Sequence, residues 1–215
     1  MLDLMDEQSA INIVVAEDHA LVRAGLRLML SRHPRLRWAG EAADGEAALA
    51  LVRARRPQVL VLDLGLPRLD GLEVMQALAR EQLPTRVLVV TARQDPASVR
   101  AALALGAQGY LLKTDDAEAL LGALLTVAAG GWHVSPELAG VFESTPREGI
   151  ELEALTAREQ DIAMRVGRGH SSKHIGLELG ISEHTVRKHR ENIARKLGLR
   201  NAAELVAWTI RHQMV

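Results

Sequence analysis

From about residue 10 to residue 130 the sequence predicts a five-stranded, doubly wound parallel α/β sheet, and from about residue 153 to 215 a small all-α domain. Three observations carry that reading. Short Val/Ile/Leu-rich runs alternate with amphipathic stretches through the first half, the pattern of strands buried on both faces and joined by crossover helices. The last part carries helix signals throughout, with Ser, Thr and Gly where caps are needed. Charge divides at nearly the same place. Residues 1–144 hold 14 Lys and Arg against 18 Asp and Glu, a net −4, whereas residues 145–215 hold 12 against 9, a net +3.

The strands are expected at Ile11–Ala16, Val59–Leu62, Arg86–Val90 and Tyr110–Leu112, with a weaker one near Trp38. Between them, helices are expected at about Ala20–Ser31, Gly45–Arg55, Gly71–Glu81, Pro96–Leu105 and Asp116–Ala129. In the first helix, Leu21, Ala24, Leu26 and Leu28 predict one inward apolar face. Gly130-Gly131 ends the fifth helix. Residues 131–152, with Pro136, Pro146 and Gly149, read as a linker that starts with a short helix at Pro136–Phe142. Beyond it, Thr156 with Glu159 three residues on forms a capping-box pattern, and Gly167 and Gly169 close that helix. Ser171 or Ser172 opens a second helix that Gly180 ends. Ser182 caps a third that runs to about Leu197, and Ala202–His212 is a fourth. The Leu179-Gly180-Ile181-Ser182 step is a helix end, a tight turn and a new cap, the signature of a helix-turn-helix.

Composition narrows the chemistry. The chain has no cysteine, which excludes disulfides, thiol catalysis and cysteine-ligated zinc. Its first ten residues are acidic and lack a signal-peptide pattern, and charge interrupts every apolar stretch before membrane-spanning length. A cytoplasmic protein with no membrane association is expected. The six basic residues against two acidic ones within Ile181–Arg200 make the back domain a nucleic-acid candidate.

In an open parallel sheet the active crevice lies at the carboxyl ends of the strands. Glu17-Asp18 follows the first strand, Asp63 ends the third, Thr91 the fourth, and Lys113 follows the fifth. Converging carboxylates repel one another unless a hard cation such as Mg²⁺ holds them. A carboxylate screened in this way can attack a phosphoryl group, and an ammonium and a hydroxyl can bind the transferred oxygens. Taken singly, each residue is more often a turn, cap or solvated surface group. Their joint placement at four strand ends is what points to chemistry. Together Glu17-Asp18, Val61-Leu62-Asp63-Leu64-Gly65-Leu66-Pro67, Asp70-Gly71, Thr91-Ala92 and Lys113 resemble the flavodoxin-like receiver domain of bacterial response regulators, over about Ile11 to Ala129. The resemblance implies Asp63 as phospho-acceptor, Asp18, Asp63 and the Gly65 carbonyl as Mg²⁺ ligands, and Glu17 acting through water. It also implies Thr91, Ala92 and Lys113 around the phosphoryl group, and Tyr110 switching inward with Thr91. Two departures stand out: Thr114 follows the lysine where many receivers have proline, so no cis bond is expected. Gly65 offers no side chain, while Arg93 offers a long cationic one.

In the third helix of the back domain, Val186, Ile193 and Leu197 form the inward face and leave Arg187, Lys188 and Glu191 pointing outward. Leu155-Thr156-Ala157-Arg158-Glu159, Gly169, Lys173, Ile175, Leu179, Ile181-Ser182, Thr185-Val186-Arg187, His189, Asn192-Ile193 and Lys196-Leu197-Gly198 resemble the LuxR-type domain that ends NarL/FixJ-family regulators. The resemblance implies DNA contacts from Lys173, Ser182, Thr185, Arg187, Lys188 and Glu191. His170/His174 and His184/His189 raise the question of a metal site. However, His170 precedes the helix cap, the second pair splits across faces, and cysteines are absent, so these histidines read as non-ligating.

The implied protein is a DNA-binding transcription regulator rather than an enzyme. Its partners would be a sensor histidine kinase, promoter DNA, a second copy of itself when phosphorylated, and RNA polymerase. Two alternatives remain at this point. One is a Mg²⁺-dependent phosphatase with Asp63 as nucleophile, although Gly65 stands where haloacid dehalogenase-type enzymes usually carry a second aspartate. The other is a DNA-binding protein whose front domain serves only for dimerisation.

Overall fold

Alternate residues along the strands supply two separate apolar layers. Ile13 and Val15 face one cluster, and Val14 and Ala16 face the other. The computed structural model describes residues 10–138, 155–199, 202–212 and 214. β1 (Ile11–Ala16), β2 (Leu36–Ala42), β3 (Val59–Leu62), β4 (Arg86–Thr91), β5 (Gly109–Leu112) and β6 (His133–Val134) pair in parallel, in the order β2-β1-β3-β4-β5-β6. Helices α1 (Ala20–Ser31) and α5 (Ala117–Ala128) cover one face; α2 (Gly45–Arg55), α3 (Gly71–Arg80) and α4 (Pro96–Ala104) cover the other. The strand order reverses between β1 and β3, where a doubly wound sheet opens its crevice.

The sixth strand corrects the expected count of five and shortens the linker. His133 donates its backbone N–H to Gln108 at 3.0 Å and Ser135 donates to Tyr110 at 2.9 Å. Two residues carry no readable period, but they satisfy backbone groups that β5 would otherwise leave open at the sheet edge. A single 3₁₀ turn covers residues 136–138; the rest of the expected helix to Phe142 and the Glu143–Ile150 linker lie outside the described residues.

A second correction concerns α1. Its inward stripe is Val22, Leu26, Met29 and Leu30, whereas Leu21 and Leu28 are 86% and 58% exposed. Two apolar stripes overlap on this helix about 100° apart, and the sheet takes the larger.

Aspartates cap the front-domain helices, and Asp116, expected as the first residue of the fifth helix, stands just before it. Asp44, Asp70, Asp95 and Asp116 each accept a backbone N–H at the start of α2, α3, α4 and α5. A Cβ on Gly71 would stand 2.5 Å from the Asp63 carbonyl oxygen. Only glycine therefore lets α3 start so close against the end of β3, and that fixes the direction in which Asp63 emerges.

In the back domain, α6 (Ala157–Gly167), α7 (Ser172–Leu179), α8 (Glu183–Lys196) and α9 (Ala202–Arg211) close on Ile162, Val166, Ile175, Val186, Ile193 and Leu205. Thr156 and Glu159 form the capping box, and Ser171 and Ser182 cap α7 and α8. Glu159 is buried and does more than cap. It accepts from Thr156 N at 2.8 Å and from Lys196 Nζ at 2.6 Å, tying α6 to α8. Burial alone would raise its carboxyl; hydrogen bonds from Lys196 and Thr156 outweigh that and hold it below the usual carboxylate range. Glu159→Ala is expected to cost this domain about 1–3 kcal/mol in urea unfolding. Because the folded pKa is depressed, the contribution is complete above the unfolded carboxyl pKa and is lost as pH falls through the folded value. The difference between parent and variant should therefore shrink below about pH 4.

Candidate functional site

Four strand ends bring Glu17, Asp18, Asp63, Thr91 and Lys113 to one crevice. Glu17 and Asp63 are buried, at 2% and 5% exposure, deeper than carboxylates tolerate without a partner. The partner is Lys113, whose Nζ donates to Glu17 Oε1 and to Asp63 Oδ2, both at 2.8 Å. The Gly65 N–H adds a bond to Asp63 Oδ1 at 3.1 Å. Burial pushes the Asp63 carboxyl up; bonds from Lys113, the Thr91 hydroxyl and the Gly65 N–H more than reverse this and hold it below the usual range. Lys113, drawn down by its own burial, is raised on balance by the hydrogen bonds to Asp63 and Glu17. The bond between Lys113 and Thr114 is trans.

Asp18 is different. Its Oδ1 is buried yet makes no aligned hydrogen bond, although His19 Nδ1 lies 2.7 Å away. Glu17, Asp18, His19 and Asp63 each present a ligand atom, all within 4.8 Å of one another. Buried carboxylate oxygens, one of them met only by the exposed His19 ring, suit a hard divalent cation. His19 is the member that sequence reasoning missed. It lies 3.0 Å from Glu17 Oε1, and the hydrogen bond to Glu17, with the nearby Asp18, raises its pKa. The only signal available was its position right after the acidic pair.

Around the rim, Ala92 is exposed just past the end of β4. Arg93 is tied to Asp70 at 2.9 Å, linking the β4–α4 loop to the start of α3. Tyr110 is already inward. Its ring is fully buried, and its hydroxyl donates to the Arg93 carbonyl at 2.9 Å. Its hydroxyl is pushed well above the usual range, chiefly by burial and next by Asp95.

On the helical domain, Lys173, Ser182, Arg187, Lys188 and Glu191 are exposed and Thr185 half-buried. Ser182 and Thr185 hydroxyls are 2.8 Å apart, and Arg187 pairs with Glu183 at 3.1 Å. Arg190 was not singled out from the sequence. Its guanidinium reaches Ser172 Oγ at 2.8 Å, and burial with the nearby Arg187 lowers its pKa.

The two domains meet at the β6 edge. Trp132 packs against the helical core. Arg86, Gln108 and Trp132 on one side and Lys173, Arg187, Arg190 and Glu191 on the other line a cleft of about 760 Å³. Three of the expected DNA contacts, Lys173, Arg187 and Glu191, thus line a cleft against the α/β domain.

Residues 13–125 match the family described as response regulator receiver domain, and residues 153–209 match bacterial regulatory proteins of the luxR family. The chain is 37% identical to a transcriptional regulatory protein NarL of Mycobacterium tuberculosis over 207 residues, 95% of this chain and 96% of that one. It is 32% identical to the nitrate/nitrite response regulator protein NarL of Escherichia coli over 209 residues, 95% and 97% of the two chains. Among solved structures it is similar to the signal receiver domain of the M. tuberculosis NarL, with TM-score 0.55, 41% identity, and 57% of this chain and 98% of that one covered. It is also similar to the response regulator ChrA of a heme-sensing two-component system, with TM-score 0.54, 30% identity, and 96% and 100% covered. Among the described residues no helix is long and apolar enough to cross a membrane.

Proposed function

Because the chain belongs to the response-regulator family, a receiver domain joined to a luxR-type DNA-binding domain, we propose that a sensor histidine kinase phosphorylates Asp63 and thereby controls dimerisation and promoter binding. The family's members named above are transcriptional regulators, not enzymes. The observation that carries the proposal is the Glu17–Lys113–Asp63 cluster beside the buried oxygen of Asp18.

An Asp63 oxygen attacks the phosphorus of the kinase's phosphohistidine. The O–P bond of an acyl phosphate forms, the P–N bond breaks, and imidazole leaves. Asp18, Asp63 and the Gly65 carbonyl would hold Mg²⁺, with Glu17 through water; when bound, the ion supplies positive charge against the carboxylates and the transferred oxygens. Lys113 exchanges its bond to Asp63 for one to a phosphoryl oxygen, and Thr91 supplies a hydroxyl to another. Thr91 accepts the Arg93 N–H at 3.3 Å and Tyr110 holds the Arg93 carbonyl, so drawing Thr91 toward the phosphoryl group disturbs the β4–α4 loop. Release of α8 from the cleft would follow, freeing a cytoplasmic dimer to engage DNA and RNA polymerase.

Beryllofluoride with Mg²⁺ is expected to convert monomer to dimer in light scattering and to tighten DNA binding. Unchanged mass and affinity would sink the proposal. Arg187→Ala is expected to cost about 1–3 kcal/mol on a selected binding site and to relax preference at one base pair. Lys188→Ala should instead lower the salt dependence of binding by about one counterion. A binding-site selection repeated with each variant checks both.

A further inference from the structure

A second cluster of metal-ligating side chains lies on α7 and the loop just before it, far along the chain from the acidic pocket. His170 precedes the α7 cap, as read from the sequence, yet folds back onto the helix. Its backbone N–H bonds to Arg165 O at 3.0 Å, and its ring meets that of His174 at a centroid distance of 4.5 Å. Glu178, one turn beyond His174, places its carboxylate between them. Oε1 is 3.0 Å from His174 Nε2, and Oε2 is 3.5 Å from His170 Nδ1. His170 Nδ1 is buried and makes no hydrogen bond. The three ligand atoms lie within 4.8 Å of one another.

With Zn–N and Zn–O bonds near 2.0–2.1 Å, ligands at the corners of a tetrahedron stand about 3.3 Å apart. The imidazole nitrogens of His174 and His170 stand 3.0 and 3.5 Å from Oε1 and Oε2 of Glu178 respectively, so the carboxylate already spans both rings at close to that spacing. Two imidazoles with one carboxylate prefer a borderline transition metal over Mg²⁺ or Ca²⁺. The geometry points to a zinc site on the DNA-binding domain, with His170 Nδ1, His174 Nε2 and a Glu178 oxygen as protein ligands and water as the fourth.

Arg165 is the built-in competitor. It hydrogen-bonds Glu178 and also holds Asp161 at 3.0 Å. Zinc binding makes Arg165 give up Glu178 and keep Asp161. The position matters for the whole chain, because His170 directly follows Gly169, the residue that meets Gly131 across the domain boundary. A metal held here stiffens the loop on which the two domains touch.

The test uses the full chain in excess Mg²⁺, with Zn²⁺ titrated by calorimetry and Co²⁺ as the spectroscopic probe. The parent should show a Zn²⁺ equivalent and the visible band of four-coordinate Co²⁺, both lost in His174→Ala, whose ring is exposed. His170→Ala should weaken Zn²⁺ binding by more than about tenfold, and Arg165→Ala should tighten it by a similar factor. The Arg165 variant separates this site from the acidic pocket, which Arg165 does not touch. If the parent shows no Zn²⁺ equivalent that His174→Ala removes, or if Arg165→Ala leaves the affinity unchanged, the site does not exist.

Discussion

With Mg²⁺ and a small phosphodonor such as acetyl phosphate, the Asp63→Asn variant is expected to take up no label while the parent takes up one phosphoryl group per chain. An amide is nearly isosteric with the carboxylate but offers one acceptor oxygen, so it keeps one of the two bonds that the Gly65 N–H and Lys113 make to the separate oxygens of Asp63, while Lys113 keeps Glu17 as counter-charge. The fold should therefore persist. What disappears is the negative oxygen nucleophile, and losing a nucleophile lowers the rate by at least about a thousandfold. Dimerisation and the gain in DNA affinity with beryllofluoride should disappear with it. Asp18 is the rival acceptor, with an oxygen free of aligned hydrogen bonds. Labelling of Asp63→Asn as strong as that of the parent would transfer the chemistry to Asp18 and overturn the assignment.

The second large effect is expected from one methyl group at the domain boundary. A Cβ on Gly131 would stand 1.9 Å from the Gly169 carbonyl oxygen and 2.9 Å from Thr126 Cγ2. The first neighbour is backbone and cannot rotate aside, so Gly131→Ala must move the helical domain away from the β6 edge. Lys173, Arg187 and Glu191 then leave the cleft they line. Apparent DNA affinity equals the intrinsic affinity scaled by the fraction of open molecules. Opening should thus tighten binding of the unphosphorylated protein by about tenfold or more, and beryllofluoride should add little further. Anisotropy titrations give the affinity, and small-angle scattering gives the accompanying expansion. Unchanged affinity together with an unchanged scattering radius would mean that the docked face does not limit DNA binding.

Much of this architecture was legible before any coordinates. Helix starts at Thr156, Ser171 and Ser182 are local hydrogen-bonding events that a hydroxyl residue before a periodic stretch reveals, with Glu159 completing the box at Thr156, whereas the aspartate caps at Asp44, Asp70, Asp95 and Asp116 came from the structure. Strands buried on both faces announce themselves as short apolar runs. The acidic crevice was legible too, because parallel strands direct their carboxyl ends to one side, so Glu17, Asp63, Thr91 and Lys113 converge whatever the details of packing. His19 was not, since a histidine beside two carboxylates looks the same in sequence whether or not its ring turns back onto them.

By itself, then, the sequence determined what depends on neighbours within a turn or a strand: the order of elements, the hydroxyl caps of the back domain, the two-domain division and the set of strand-end residues. Only the tertiary structure decided which of two overlapping stripes on α1 is buried, leaving Leu21 outside and Leu30 within. It also decided that His133 and Val134 extend the sheet, that Tyr110 is already inward, that His170 turns back onto Glu178, and that the α8 face lines a cleft against the receiver. Each of those outcomes rests on contacts between segments distant in the chain, where burial and shape select among arrangements that local sequence leaves nearly equal in energy.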